Sequence, residues 1–348
     1  MTATAVRRRV LVSAPERVEV VTEPMPELRS GEALVSLRVV GVCGSDLHGM
    51  HGHHPAMRPP FYPGHEVVGV VREVGADVTG VAPGHLVTVE PPLPCGHCKM
   101  CTTGRAHVCS ELEFFGCGFR EGGMADVFSI RADRLHAIPP EFSLRQAALI
   151  EPLATPVHAI GLVGGVAGKA VAVIGSGTIG LLVLAAARAG GARRIVMTDP
   201  LPSKRSRALA GGADAVADAA DPELARTVRG LLGETADVVF DCVAAQATVT
   251  SAIDMVQRGG TVVLLGVPSR PVEVPAFGIQ DRQIRLQGSI TYLGSDYAEA
   301  IKLIAAGHVN PDTMITASFP LGSAAAAFAA AAGGEQVKVL MTGEGVTV

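Results

Sequence analysis

Two hydrophobic patterns divide the chain. From Val10 to about Pro140, short β-rich runs broken by glycine and proline, such as residues 33–40, 67–74 and 86–89, predict an all-β region. From about Ala170 an apolar strand, a glycine turn and an apolar helix follow one another, and strands then recur at crossover spacing. This second pattern predicts a doubly wound parallel sheet. Its predicted strands are residues 170–174, 194–198, 237–241 and 261–265, with a helix over residues 181–189.

The last stretch, from about Tyr292, predicts a helix over residues 297–306, an alanine-rich helix over 324–332 and a closing strand over 338–341. Periodicity does not decide whether this tail rejoins the first region. A length of 348 residues exceeds what one hydrophobic core usually supports, so two domains are expected. The predicted fold class is α/β, with a β-rich N-terminal domain and a second domain built on the doubly wound parallel sheet.

Composition narrows the function classes. Hydrophobic residues make up 48% and charged residues 18%, which favours a compact enzyme over a disordered chain. The net charge of −4 offers no basic face for nucleic acid, and the run Arg7 to Arg9 is interpreted as the solvated lead-in to a first strand. No apolar run has the length of a membrane span, and the first residues lack a secretion pattern, so a cytoplasmic protein is expected.

Four cysteines lie close together in the sequence: Cys95, Cys98, Cys101 and Cys109. Four thiolates suit one tetrahedral zinc with no open position, which predicts a structural metal site. The spacing departs from the iron–sulfur pattern at the fourth cysteine, and disulfides are unexpected without a secretion signal. His97 and His107, inside this loop, are interpreted as solvated. Cys117 and Cys242 have no spaced partners and are interpreted as packing residues.

A second candidate metal site is dispersed along the chain. Its members are Cys43, the adjacent pair His65 and Glu66, and Glu151. A catalytic zinc uses about three protein ligands and keeps one position for water or substrate, and this mixture of donors meets that need. Each residue alone also fits a buried cysteine, a satisfied histidine or a charge at a helix N-terminus.

The turn after residues 170–174 carries a glycine fingerprint. Gly175, Gly177 and Gly180 fit G-x-G-x-x-G between a strand and a helix, and Asp199 ends the next predicted strand. Such glycines let backbone N–H groups approach a pyrophosphate, while the acid accepts a hydrogen bond from the ribose 2′-OH. Because Asp199 would repel a 2′-phosphate, NAD is favoured over NADP, although Arg205, with Lys204 beside it, could soften that preference.

Taken in order, these motifs resemble the zinc-containing medium-chain dehydrogenase family over essentially the whole chain. Glu151 stands where common alcohol dehydrogenases carry a cysteine, so the chain resembles the polyol branch of sorbitol, butanediol and threonine dehydrogenases. The resemblance implies a GroES-like catalytic domain over residues 1–152, a Rossmann NAD-binding domain over 153–291, and a segment over 292–348 that completes the first domain. It also implies an active site in the interdomain cleft and a homodimer or homotetramer.

The resemblance also implies residue roles. Cys43 and His65 would bind the catalytic zinc, with Glu66 or Glu151 at the remaining position. Ser45 would accept the proton of the substrate hydroxyl, His48 would pass it to solvent, and Asp46 would orient His65. Further cofactor contacts would come from Thr178, Ile179, Val243, Val267 and Ile290, and Phe115 would line the substrate pocket.

The leading functional hypothesis is NAD-linked oxidation of a secondary alcohol, polyol or cyclitol to a ketone. A threonine 3-dehydrogenase of the same branch is the nearest enzymatic alternative. A zinc-binding recognition protein with a vestigial dehydrogenase fold is the alternative from another class.

Overall fold

The computed structural model describes residues 5–118 and 120–348. These residues form two compact units, one made of the described residues up to 151 together with residues 310–348, and the other of residues 152–309. In chain order the strands are β1 (Val6–Ala14), β2 (Arg17–Pro24), β3 (Glu32–Val42), β4 (Glu66–Val74), β5 (Leu86–Val89), β6 (Pro92–Leu93), β7 (Glu113–Phe114), β8 (Val127–Arg131), β9 (Leu135–Ala137), β10 (Ala170–Ile174), β11 (Arg194–Asp199), β12 (Ala215–Asp218), β13 (Ala236–Asp241), β14 (Val256–Leu264), β15 (Arg285–Gly288), β16 (Ile315–Pro320) and β17 (Lys338–Thr342).

Twelve α-helices are described. They are α1 (Gly44–Met50), α2 (Lys99–Thr102), α3 (Leu144–Ala147), α4 (Ile150–Leu162), α5 (Thr178–Ala189), α6 (Pro202–Ala210), α7 (Leu224–Leu232), α8 (Gln246–Met255), α9 (Ala276–Asp281), α10 (Gly294–Ala305), α11 (Pro311–Met314) and α12 (Ala324–Ala332).

The first unit is built on a curved set of mostly antiparallel strands. Its main sheet has the order β16-β17-β3-β4-β5-β9, and β8 also pairs with β3. Alternating β-branched residues of β3 and β4, including Val35, Val40 and Val67, are at most 1% exposed and form the core. The closing strand β17 pairs antiparallel with β3, with Leu340 opposite Gly41, so the end of the chain belongs to this unit.

The second unit is the doubly wound sheet. Its strands are all parallel in the order β12-β11-β10-β13-β14-β15, and every residue of the central β10 is buried. Strands covered on both faces consist of continuous apolar runs, which is why residues 170–174 contain only Ala, Val and Ile. The chain order reverses between β10 and β13, and ligands bind such sheets at the carboxyl ends of the strands at that point.

The second unit ends later than the boundary expected at residues 291–292. Helix α10 belongs to it, because Tyr297 is 0% exposed and Asp296 accepts a hydrogen bond from Nδ1 of His158 in α4 at 2.8 Å. A helix pattern alone does not reveal which core a helix packs against.

The expectation for Arg7 to Arg9 is wrong for two of the three residues. All three lie inside β1, and Arg7 and Arg9 are only 4% and 3% exposed. Their guanidinium groups are ion-paired with Glu23 and Glu121, with the Arg7 pairs at 2.7 and 2.6 Å. Burial of these charges depends on the acidic partners from distant segments, because an unpaired buried charge is costly. Only Arg8 stays half-exposed.

Among the helices in the described part of the chain, none combines the length and apolar character that a bilayer crossing requires.

Candidate functional site

The four-cysteine cluster forms a compact sulfur cage. The Sγ atom of Cys98 lies 3.5 Å from that of Cys101 and 3.7 Å from that of Cys109, and the sulfurs of Cys95 and Cys101 are 4.0 Å apart. Four sulfurs around a tetrahedral zinc, each about 2.3 Å from the metal, are about 3.8 Å apart. The cage therefore has the size of a zinc tetrathiolate before any metal is added.

Backbone N–H groups support these sulfurs. Cys95 donates to the sulfur of Cys109 at 3.4 Å, Cys98 to that of Cys95 at 3.4 Å, and Glu111 to that of Cys109 at 3.3 Å. Such donors stabilise thiolates, the form that binds metal. The cage fits structural zinc in both donor chemistry and size.

The second site gathers three residues from two segments. Cys43 is the N-cap of α1, His65 stands directly before β4, and Glu66 is the first residue of β4. One ligand atom from each of these three side chains lies within 4.8 Å of the others. His65 and Glu66 are buried and Cys43 is partly accessible, so a soft sulfur, an imidazole and a carboxylate converge in a shielded place. This donor set fits a catalytic zinc.

Residues of helix α1 surround this site. The Oγ of Ser45 lies 3.5 Å from Nε2 of His65. Asp46 is fully buried, and one of its carboxylate oxygens accepts a hydrogen bond from the backbone N–H of Cys43 at 2.9 Å. Its other oxygen faces Nδ1 of His65 at 3.7 Å, which is longer than a hydrogen bond. Neither of these two facing atoms has a hydrogen-bond partner among the described residues.

The electrostatics follow from burial. Burial raises the pKa of Asp46 to about 6, even though the charge of His65 lowers it. Burial lowers the pKa of His65, but Asp46 and Cys43 outweigh that effect and hold it well above its usual value. The pocket thus concentrates negative charge around one imidazole, as a site prepared for a cation does.

Glu66 has a partner that the sequence motifs did not indicate. The Nζ of Lys338, the first residue of β17, lies 2.6 and 2.7 Å from the two carboxylate oxygens of Glu66 and also donates to the carbonyl of Val42. The sequence pattern predicts only a strand position for Lys338. Glu151 is the second residue of α4 and is buried. It is close enough to His65 and Lys338 to contribute to the raised pKa of each.

His48 occupies the last turn of α1. The following loop folds back over it, because His53 and His54 both donate their backbone N–H to the carbonyl of His48, at 2.8 and 3.1 Å. Burial, followed by the nearby charges of His53 and His51, lowers the pKa of His48.

The glycine turn of the second unit forms the expected cradle. Gly175 follows β10 with φ +91, and Gly177 is the N-cap of the twelve-residue helix α5. A Cβ at Gly180 would overlap the carbonyl oxygen of Gly175, while the space in front of Gly177 is open. Thr178 and Gly180 lie in the first turn of α5, whose free N–H groups attract a phosphate. The turn therefore fits a dinucleotide.

Asp199 lies at the carboxyl end of β11, next to that turn. Its two oxygens accept hydrogen bonds from the backbone N–H groups of Ser176 and Leu201, each at 2.9 Å. Arg205 donates to the carbonyl of Asp199 at 2.8 Å and pairs with Asp218 at 3.2 Å. The two backbone hydrogen bonds hold the Asp199 carboxylate in one orientation beside the glycine turn.

Apolar residues continue this edge of the sheet. Val243, Val267 and Ile290 follow β13, β14 and β15 and are 45%, 39% and 60% exposed. Ile179 is half-buried in the first turn of α5. Exposed aliphatic side chains at the carboxyl ends of three neighbouring parallel strands suit contact with a bound ligand.

Phe115 is not placed as expected. It is 0% exposed and its ring packs 5.3 Å from that of Phe128 in the core of the first unit. Its neighbour Phe114 instead meets the ring of His65 edge-on, with centroids 5.8 Å apart. Phe114 ends β7 and Phe115 follows it, and neighbouring residues of an extended chain point to opposite faces, so a shift of one residue exchanges core for site.

Comparisons with known proteins agree with this geometry. The sequence model of the alcohol dehydrogenase GroES-like domain matches residues 29–140, and that of the zinc-binding dehydrogenase domain matches residues 178–306. The chain is 32% identical over 330 residues to the "Probable D-xylulose reductase A" of Aspergillus terreus, covering 92% of this chain and 93% of that protein. It is also 32% identical over 338 residues to the sorbitol dehydrogenase of Bos taurus, covering 95% of each.

A solved structure shares the whole architecture. It is a protein from Sinorhizobium meliloti 1021 assigned as a zinc-binding dehydrogenase and bound to NADP, with a TM-score of 0.90 and 32% identity. The alignment covers 97% of this chain and 100% of that one. The predicted combination of a GroES-like domain and a Rossmann domain is confirmed. The chain belongs to the zinc-containing medium-chain alcohol and polyol dehydrogenase family, whose members use zinc and a nicotinamide cofactor.

Proposed function

We propose that this enzyme oxidises a secondary alcohol of a polyol or cyclitol to the ketone, with NAD as the hydride acceptor. The observation that carries the proposal is the convergence of Cys43, His65 and Glu66 within 4.8 Å, beside the hydroxyl of Ser45. The names of two relatives, a sorbitol dehydrogenase and a D-xylulose reductase, favour polyols over simple alcohols.

In this proposal Cys43 and His65 hold the catalytic zinc, with Glu66 or Glu151 as the remaining protein ligand. Zinc, when bound, supplies a Lewis acid that lowers the pKa of a substrate hydroxyl. Nε2 of His65 lies on the side of Ser45, so this ring atom is the proposed ligand, and Nδ1 faces Asp46. The buried carboxylate of Asp46, tied to the Cys43 backbone, faces Nδ1 and is proposed to orient the imidazole through its charge.

Ser45 and His48 form the proposed proton path. They are three residues apart on α1 and therefore lie on one face of the helix. Ser45 accepts the proton of the substrate hydroxyl, and His48 transfers it towards solvent. Burial lowers the pKa of His48, which favours the neutral imidazole that a proton acceptor requires.

The second unit supplies the cofactor site in this proposal. Gly175, Gly177 and Gly180 leave room for the pyrophosphate at the start of α5, and Asp199 accepts from the ribose hydroxyl. NAD, when bound, accepts the hydride from the substrate carbon. A 2′-phosphate would meet the charge of Asp199, which supports NAD over NADP even though one structural relative holds NADP.

A substrate panel tests the proposal. Sorbitol, xylitol, butanediol, an inositol and threonine are each offered with NAD and with NADP, and the reduced cofactor is followed by absorbance. We expect a polyol or cyclitol with NAD to give the highest kcat/KM. Highest activity with threonine would establish the amino-acid alternative, and a faster reaction with NADP would refute the role of Asp199.

Zinc content tests the metal sites separately. We expect about two zinc ions per chain, one in the cage and one at Cys43. The Cys43→Ala variant should lose one zinc and its activity, whereas full activity would refute the catalytic site. A homodimer or homotetramer and a cytoplasmic location are also proposed, and the mass of the particle in solution and cell fractionation test them.

A further inference from the structure

A third group of possible metal ligands lies at the rim of the four-cysteine cage. The sulfur of Cys95, a ring nitrogen of His97 and a carboxylate oxygen of Glu111 all lie within 4.8 Å of one another. Cys95 is partly accessible, and both His97 and Glu111 are exposed. Neither His97 nor Glu111 belongs to the tetrathiolate or to the proposed reaction.

The backbone accounts for this grouping. Gly96 has φ +81, a left-handed conformation that turns the chain sharply between Cys95 and His97 and brings the imidazole back beside the sulfur. No atom lies within 4 Å of the place where a Cβ of Gly96 would stand, so the turn is open on that side. Glu111 is anchored from the other end of the lobe, because its N–H donates to the sulfur of Cys109 at 3.3 Å.

The donor set is suited to zinc in an open site. Sulfur, imidazole and carboxylate are all zinc ligands, and three of them leave a position for water. The tetrathiolate cage has no such position. A hydrated zinc ion that approaches the cage has to exchange its water ligands for sulfurs one after another, and partners that already hold it at the rim shorten that process.

We propose that Cys95, His97 and Glu111 form a surface zinc-binding site through which zinc enters and leaves the four-cysteine cage. Zinc first binds the imidazole, the carboxylate and the shared thiolate of Cys95. The bonds to His97 and Glu111 then break as bonds to Cys98, Cys101 and Cys109 form, and each thiol that becomes a ligand releases its proton to water. Cys95 stays bound throughout, so the ion is never free between the two sites.

Exchange of zinc for Cd²⁺ in the intact, purified protein tests this proposal. Cadmium bound to thiolates absorbs in the ultraviolet, and its entry into the four-sulfur cage is followed by that absorbance without any measurement of activity. We compare the wild type with His97→Ala, Glu111→Gln and the double variant. Glu113→Gln is the matched control for the carboxylate, and His308→Ala is the control for an exposed histidine elsewhere.

We expect the double variant to exchange about tenfold more slowly than the wild type, the lower end of the effect seen when groups around a metal site are removed. Its zinc content at equilibrium and its melting temperature should match the wild type, since a shared entry route changes both directions of transfer equally. Exchange as fast as in the two controls would overturn the proposal. An unchanged uptake rate with weaker zinc retention would also overturn it, because the residues would then only stabilise the cage.

Discussion

Lys338 and Glu66 form a bidentate ion pair, with Nζ to oxygen distances of 2.6 and 2.7 Å, and their side chains are only 3% and 1% exposed. They start β17 and β4, which flank β3 in the main sheet of the first unit. The pair therefore joins the end of the chain to the proposed zinc site. It also balances the charge of Glu66, one of the two carboxylates considered as zinc ligands.

Replacing the lysine tests the energetic role of this pair. Lys338→Met leaves the Glu66 carboxylate buried without its cation, so we expect a loss of about 3–5 kcal/mol in the free energy of unfolding. Lys302→Met, at an exposed lysine paired with Glu299, is the control and should change it by less than about 1 kcal/mol. Urea unfolding measures both. The double variant Lys338→Met with Glu66→Gln should regain part of the loss. If Lys338→Met were as stable as the control Lys302→Met, the energetic role of the pair would be contradicted.

The space in front of the Glu66 carboxylate depends on one glycine. A Cβ at Gly41 would overlap Oε2 of Glu66, so Gly41→Ala should displace the carboxylate and cost about 1–3 kcal/mol. Gly161→Ala is a matched control on the exposed part of α4, where nothing lies within 4 Å and alanine should stabilise the helix by up to about 1 kcal/mol. Thermal unfolding distinguishes the two. Equal effects would show that the close approach at Gly41 is relieved without cost.

The cofactor preference should change at Asp199. Asp199→Ser removes the carboxylate that the ribose is proposed to meet, while Arg205 can still donate to the backbone carbonyl of residue 199. The ratio of kcat/KM for NAD to that for NADP should fall by about 10- to 100-fold, which corresponds to the loss of a hydrogen bond to a charged group. Asp254→Asn, an exposed carboxylate in α8, should leave this ratio unchanged. An unaltered ratio in the Asp199 variant would place the ribose elsewhere.

The loop that follows α1 carries His51, His53 and His54, and it should set the acid limb of the pH profile of kcat/KM. Burial and the charges of His53 and His51 lower the pKa of His48, so His48 accepts protons down to a lower pH than an ordinary histidine. The double variant His51→Gln with His53→Gln removes the two neighbouring imidazoles that lower the pKa of His48. Their loss should raise the pKa of His48, so the acid limb of kcat/KM should move to higher pH.

The kcat/KM profile of the His308→Gln variant provides the comparison for this shift, because His308 is an exposed histidine of the second unit. A double variant at the loop whose profile coincides with that of the wild type would exclude His48 from the proton path.

Much of the fold was predictable because its signals are local. Residues 86–89, 170–174 and 324–332 form the predicted elements with the predicted limits, since mostly apolar runs flanked by nearby glycine or proline leave few alternatives. The Arg7 and Arg9 side chains were misjudged for the opposite reason. Their burial depends on Glu23 and on Glu121, which lies more than one hundred residues away, and no property of the run itself indicates such partners.

The sequence by itself determined the donor types and their order: four cysteines within residues 95–109, a cysteine and a histidine–glutamate pair for a second site, and a glycine turn followed by an acid. These features have short spacings that specify local geometry. Only the tertiary structure decided that Lys338 reaches Glu66 across 272 positions, that Phe114 and not Phe115 meets His65, and that His97 and Glu111 meet at Cys95. Such contacts depend on strand register and long-range packing. A shift of one residue in strand register would turn each side chain to the opposite face of the sheet.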